Sequence, residues 1–310
     1  MRLIALLFLF STACAGSTSP TGETDPDDTD TEDTQDTDDT DVDAGCTGPW
    51  CAVAAGKSHT CGLDQDGVAI CWGRNNDGEA TPPAGTSFVA IEAGGRHACG
   101  LSQAGAATCW GSNFMGLDRP PEEVFIQISA GNKHNCGVTG DNRVVCWGDD
   151  ALGQSTVPDG SYTAVAAGHE HSCALKTDGN LVCWGSDSAG QSTPPSGSYT
   201  AVATSLLNHS CALDDSGAVE CWGDATDGRL DAPSGSFEAL TLGAHHGCVT
   251  DSAGEISCWG NDFSGQVTGG SAGPWVAVDG GSTHTCAVAA DWSMSCWGND
   301  GDGRSTPPAR

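Results

Sequence analysis

The chain writes the same cysteine pair seven times. Cys-Trp-Gly recurs with its cysteine at positions 71, 109, 146, 183, 221, 258 and 296, a spacing of 37 or 38 residues, and each of these cysteines follows another by ten positions. A period of this length marks an array of supersecondary units, each too small to bury a core alone, so that neighbours must stack. An aromatic residue opens every unit: Trp50, Phe88, Phe125, Tyr162, Tyr199, Phe237 and Trp275. Short alternating stretches follow, broken by Gly, Pro or Asp, which suits antiparallel strands and leaves no room for a helical period. The expected fold class is all-β.

The spacing within each pair describes a hairpin. If three residues form its loop, the last must take a left-handed conformation, where Gly or Asn is favoured. That position holds Gly67, Gly105, Asn142, Gly179, Gly217 and Gly254, and only Trp292 departs. The register then sets Cys61 opposite Cys71, Cys99 opposite Cys109, Cys136 opposite Cys146, and Cys173 opposite Cys183. It does the same for Cys211 and Cys221, Cys248 and Cys258, and Cys286 and Cys296, all within reach of a disulfide. Cys46 and Cys51 form a further local pair. A competing use is zinc, because His59 lies two residues before Cys61 on the same strand face and His-Cys-Cys is a competent ligand set. Seven disulfides suit an exported chain better than seven zinc sites, and no cofactor or metal is expected.

Export is expected from the first residues, MRLIALLFLFSTACA, in which Arg2 precedes an apolar run too short to span a bilayer as a mature helix. Residues 1–15 therefore read as a signal peptide. Ser11-Thr12-Ala13-Cys14 resembles a lipobox in which Cys14 becomes the lipidated start of the mature chain, although Ser stands where Leu is usual. Ala13-Cys14-Ala15 offers the alternative, a cleavage site with simple secretion. Lipidation is preferred because residues 16–45 make a natural tether: between Pro20 and Gly45 lie 12 acids and no base, a disordered, self-repelling spacer. Residues 46–310 form the repeat domain, with 29 acidic against 10 basic side chains, a balance that argues against binding nucleic acid. The expected location is the cell envelope, as an outer-membrane or cell-surface lipoprotein held by its lipid only and monomeric.

The repeat itself runs V-x-A-G-x-x-H-[ST], then D-G-x-x-x-x-W-G, then a turn that is Gly153-Gln154, Gly190-Gln191 and Gly265-Gln266 in three units. In these motifs the chain resembles the regulator of chromosome condensation repeat family over residues 50–310. The resemblance implies a seven-bladed β-propeller of four-stranded antiparallel blades. Units here are shorter than the usual family length, and the cysteine pairs are additions of the kind found in secreted, bacterial-type variants. The best-known relative is a nuclear guanine-nucleotide exchange factor. That activity is not expected of an exported, cystine-bearing chain; other members are protein-binding platforms.

Residues repeated in every unit are expected to be structural. Thus His59 and its equivalents should satisfy backbone groups, and Trp72 and its equivalents should pack between blades. Function should sit where the units differ, in the loops before each His and after each Cys-Trp-Gly, which emerge on one face. There Lys57, Arg74, Arg96 and Lys133 suggest a basic sector. Phe114, Met115, Leu206 and Leu207 add apolar side chains of the kind that meet a protein partner. The opposite face reads as architectural apart from Trp292. The expected function is a non-enzymatic module that binds a still unidentified protein through the loop face. One alternative is an envelope hydrolase or lyase with an axial active site, which an axial pocket holding two carboxylates with raised pKa would favour. Another is a carbohydrate-binding adhesion protein using the aromatic platforms Phe114, Phe263 and Trp292. No catalytic residue is named, because a chain without a helical period is expected to form neither a G-x-S-x-G elbow between strand and helix nor an H-E-x-x-H helix.

Overall fold

The computed structural model describes residues 46–270 and 273–310; the expected signal peptide, Cys14 and the acidic tether lie outside them. Consecutive strands pair antiparallel into seven separate sheets. In the first, an inner strand (Ala52–Ala55), a middle strand (His59–Leu63) and an outer strand (Ala69–Gly73) form a meander. Each inner strand touches that of the next sheet, and the inner strand of the seventh (Trp275–Gly280) touches that of the first. The architecture is a propeller-like ring of seven repeats.

Each sheet has three strands, which corrects the expected four. The outer strands end at glycines with positive φ, such as Gly73 (93°) and Gly148 (107°), which turn the chain out of the ladder. The segment that follows wedges against the next sheet, where its backbone is used by side chains. The carbonyl of Gln154, after the third sheet, accepts Trp184 Nε1 of the fourth at 2.9 Å. A Pro follows in most units, and Pro cannot donate to a ladder.

The hairpins carry the anticipated left-handed residues: φ is 73° at Gly67, 63° at Asn142 and 65° at Trp292. Disulfides join Cys61 to Cys71, Cys99 to Cys109, Cys136 to Cys146, Cys173 to Cys183, Cys211 to Cys221, Cys248 to Cys258, and Cys286 to Cys296. Their Cα atoms are 4.0–4.1 Å apart, the narrow spacing of directly opposed residues that share no backbone hydrogen bond. Cys46 bonds to Cys51. With the sulfurs joined to each other, zinc has no thiolate to bind, and among the described residues no group of His, Cys, Asp or Glu is arranged to hold a metal.

The cores lie between the sheets. Cys61, Cys71 and Leu63 of the first pack on Phe88, Ile91, Ala98 and Trp110 of the second. Ring closure repeats this packing, with Cys286 and Val288 of the seventh sheet against Trp50, Val53 and Trp72 of the first. Among the described residues no strand is exchanged across the junction.

A polar relay crosses the same interfaces. His134 Nε2 lies 2.7 Å from Ser172 Oγ of the next sheet, and Ser172 Oγ donates to Gln154 O at 2.9 Å. A hydroxyl has one proton, so Ser172 must accept from His134, which fixes the Nε2–H tautomer. Equivalent relays run through Ser210, Thr285 and Thr60, and through Asn135, whose Oδ1 faces His97 while its Nδ2 donates to Leu117 O. The expectation that the histidines bind backbone groups is thus corrected: five of them reach side chains one sheet further on. For His59 and His209 the corresponding positions are Ala98 and Gly247, and no side chain answers their Nε2. Burial pushes His134 and His171 down to about 3 and His97 to about 4, so the rings are neutral at pH 7.

Replacing Ser172 with Ala should cost about 1–3 kcal/mol in denaturant unfolding, because a buried N–H is left without its acceptor. Ala98→Ser, which supplies the absent hydroxyl to His59, should stabilise by up to about 1 kcal/mol in the same assay. A group whose folded pKa is depressed contributes stability that is complete above its unfolded value. Stability should therefore fall as pH drops from 6.5 toward 3–4, with net proton uptake on unfolding measurable by calorimetry in buffers of different ionisation enthalpy. Removing one cystine as Cys173→Ala with Cys183→Ala should cost about 2–3 kcal/mol.

Candidate functional site

Two regions break the seven-fold regularity: the loop face and the axis. On the loop face the two variable loops of each unit hydrogen-bond to each other, as in Arg74 N to Ser58 O and Asp149 N to Lys133 O, which places both on one side. The expected basic sector is largely neutralised there. Arg74 pairs with Glu79 at 3.3 Å and Asp77 at 3.6 Å, Arg96 reaches Asp77 at 3.7 Å, and Lys133 meets Glu170 at 3.2 Å. Two of these pairs, Arg96 with Asp77 and Lys133 with Glu170, span neighbouring repeats and lace their loops together. Lys57 is exposed and has no ion pair among the described residues.

The apolar residues also separate. Phe114 and Met115 are each 56% exposed at the tip of a short 3-10 turn. Leu206 instead lines the axial cavity and Leu207 is half-buried, so neither joins Phe114 and Met115 in one patch. What the sequence reading missed is Leu152, 51% exposed in the neighbouring repeat at the position equivalent to Met115. Counting from each Cys-Trp-Gly to its following Gly would have aligned the two. Met115 sits at φ 56°, a left-handed conformation that its equivalent in the fifth unit fills with Asp227 at φ 60°. Asp tolerates that region; Met gains nothing structural from it.

The opposite face is less plain than expected. Val124 is 65% and Ile126 58% exposed there, with Val68 and Val276 also exposed. Trp292 is not an exposed platform: it packs beside Trp50 and Met294, over Gly48.

At the axis, the unpaired edge of each inner strand faces a cavity of about 570 Å³. One residue of each inner strand stands opposite the first cysteine of its repeat: Ala54, Glu92, Ser129, Ala166, Ala203, Thr241 and Asp279. Going round the ring, the polar members Thr241, Asp279, Glu92 and Ser129 form one arc interrupted by Ala54, and Ala166 and Ala203 form the other. Polar members cap the free edge of the following strand. Asp279 Oδ2 accepts Ala55 N at 2.7 Å, and Ser129 Oγ accepts Ala167 N at 3.0 Å. Burial raises Glu92 to about 8, the negative charge of Asp279 adds to this, and a bond from the backbone of Ala130 opposes it. Burial likewise raises Asp279 to about 6, against hydrogen bonds from Thr241, Ala55 and Gly280.

A raised carboxyl contributes stability that is complete below its unfolded pKa and lost as pH climbs through the folded one. For Glu92 that window runs from 4.5 to about 8. Glu92→Gln, which mimics the protonated acid, should therefore raise the melting temperature at pH 9 relative to the parent and leave it unchanged at pH 4.

The geometry has counterparts among known proteins. The profile of the regulator of chromosome condensation (RCC1) repeat matches residues 50–79, 88–116, 125–154 and 162–191. A search of curated protein sequences found no match. Among solved structures, the ectodomain of the receptor kinase CR4 from Physcomitrella patens is similar, with 24% identity and a TM-score of 0.67, covering 79% of this chain and 73% of that one. The CRINKLY WD40 ectodomain of the Arabidopsis thaliana receptor kinase ACR4 gives 26% identity and a TM-score of 0.66, covering 79% and 94%. Prp20p from Saccharomyces cerevisiae, whose structure was described with its binding to Gsp1p and histones, gives 17%, a TM-score of 0.66, and coverage of 74% and 80%. Four of the seven disulfide-paired sheet repeats thus match the RCC1 repeat, and their arrangement is similar to that of the Crinkly-type ectodomains.

Proposed function

We propose that this protein is an exported, lipid-anchored, non-enzymatic interaction module that recognises another protein through its loop face. The observation that carries the reading is the row of apolar tips on neighbouring repeats, Phe114, Met115 and Leu152, each at least half exposed, with Phe263 of the sixth repeat 92% exposed at the position equivalent to Phe114. Exposed apolar side chains on a turn cost solubility and are retained where a partner covers them. A Met held in a left-handed turn strengthens the reading, since a Gly or Asn would fit that backbone better. The similarity to receptor-kinase ectodomains and to a histone-binding propeller agrees with a binding role. Membrane attachment through Cys14 and the acidic tether would hold the ring away from the lipid surface.

A second reading, an envelope hydrolase or lyase, draws on the axial cavity, where Glu92 and Asp279 have raised pKa values and so could hold a proton near neutrality. Screening against glycans and peptides, with Glu92→Gln as control, tests it: turnover lost in the variant would favour this reading.

For the interaction module, the test is capture from envelope extracts on the immobilised protein and on the triple variant Phe114→Ser, Met115→Ser, Leu152→Ser. A partner retained by the parent should be lost by the triple variant and kept by Val124→Ser with Ile126→Ser on the opposite face. Equal capture by all three proteins would exclude the loop face.

A further inference from the structure

On their inner side the seven interfaces are tied unequally, and among the described residues the one between the fifth and sixth repeats lacks four ties that recur elsewhere. The first is the histidine relay. His209 meets Gly247, where an added Cβ would lie 2.4 Å from Trp259 Cζ2, so no hydroxyl-bearing residue fits. The second is a backbone bond between the loops before each histidine, as from Lys57 N to Gly94 O at 3.0 Å. In the fifth repeat that loop is one residue longer, and Ser205 Oγ accepts Leu207 N and His209 N, so it closes on itself. The third is the cap on a free strand edge, which Asp279 gives to Ala55 N and Thr241 to Gly280 N. Ala203, at the capping position of the fifth repeat, has no acceptor to offer Leu242 N. The fourth is apolar: Leu63 shares a core with Phe88, Leu175 with Tyr199, and Val288 with Trp50. The equivalent Leu213 instead borders the axial cavity, and Phe237, lining the same cavity, is only half-buried.

A ring of repeats would be expected to part between the seventh and the first, where no peptide joins neighbouring sheets. Here that junction has all four ties: His284 with Thr60, Ser282 N with Gly56 O, Asp279 with Ala55 N, and Val288 in one core with Trp50. The outer side of the interface between the fifth and sixth repeats is also held. Trp259 Nε1 donates to Arg229 O at 2.7 Å, and Asn261 Nδ2 to Asp227 Oδ2 at 3.1 Å. We infer that the ring opens at this one seam, between the fifth and sixth repeats, on its inner side, with the outer bonds as the hinge. Opening uncovers Leu213, Phe237 and Leu240 and widens the axial cavity into an apolar slot. Regions with the fewest buried ties open at a lower free-energy cost than global unfolding. The motion goes beyond the loop-face reading and does not depend on it.

The experiment is thiol labelling of the native protein at three equivalent buried positions. Leu213→Cys faces the seam, Leu175→Cys the interface of the fourth and fifth repeats, and Val288→Cys that of the seventh and first; the parent side chains are 2%, 3% and 0% exposed. Each variant is first shown by mass spectrometry to keep its native cystines and by circular dichroism to keep its fold. Global unfolding labels all three at similar rates, whereas opening of the seam labels Leu213→Cys at least about tenfold faster than the other two. Adding Ala203→Ser, which offers Leu242 N the cap that Ser129 gives Ala167 N, should slow labelling of Leu213→Cys about fivefold. The same addition should leave labelling of Leu175→Cys and Val288→Cys unchanged. Equal rates at the three positions, fastest labelling of Val288→Cys, or no slowing by Ala203→Ser would overturn the proposal.

Discussion

A single backbone carbonyl in each repeat holds the ring together. Gln154 O receives Trp184 Nε1 and Ser172 Oγ, both at 2.9 Å and both from the following sheet. The equivalent carbonyls of Leu117, Gln191, Gln266 and Arg304 take the same two donors. Glu79 and Arg229 take the tryptophan alone. A three-stranded sheet of this size has too little interior to be stable by itself, and these bonds fix how its two faces meet their neighbours. They also explain why the segment after the outer strand does not become a fourth strand, since its backbone already has partners across the interface.

The cystines belong to the same interfaces. Each ties the middle strand to the outer strand and, with the leucine or valine beside it, presents an apolar surface to the aromatic residue of the next repeat, as Cys136, Cys146 and Val138 do to Tyr162 and Trp184. Chain-entropy stabilisation and interface packing thus come from one group of atoms. The histidine on the same strand face adds direction: its Nε2–H reaches a hydroxyl or amide on the next sheet in five interfaces and finds Ala98 or Gly247 in the other two. The ring is regular in its packing and irregular in this bond, so its interfaces should differ in strength.

Departures from regularity divide into those the interfaces absorb and those they do not. Arg74, Arg96 and Lys133 vary between repeats, yet each is taken up by an acid of its own or the neighbouring unit. Phe114, Met115 and Leu152 at the turn tips, and Phe263 in the sixth repeat, are not absorbed.

The period, the hairpins and the cystine pairing could be read directly from the chain, because each depends on residues within about one hairpin of each other: a turn that needs positive φ, and cysteines placed symmetrically about it. The sheet count followed from the repeats alone. Other features depend on contacts a full repeat or more away, where spacing carries no information about distance. The partners of the histidines lie on the next sheet. The acids that neutralise Arg96 and Lys133 belong to adjacent loops, and Leu206 turns out to face the axis only because the inner strands of all seven sheets converge there. Glu92 and Asp279, in the second and last repeats, share one cavity because the ring closes, and closure is set by the packing of every interface together.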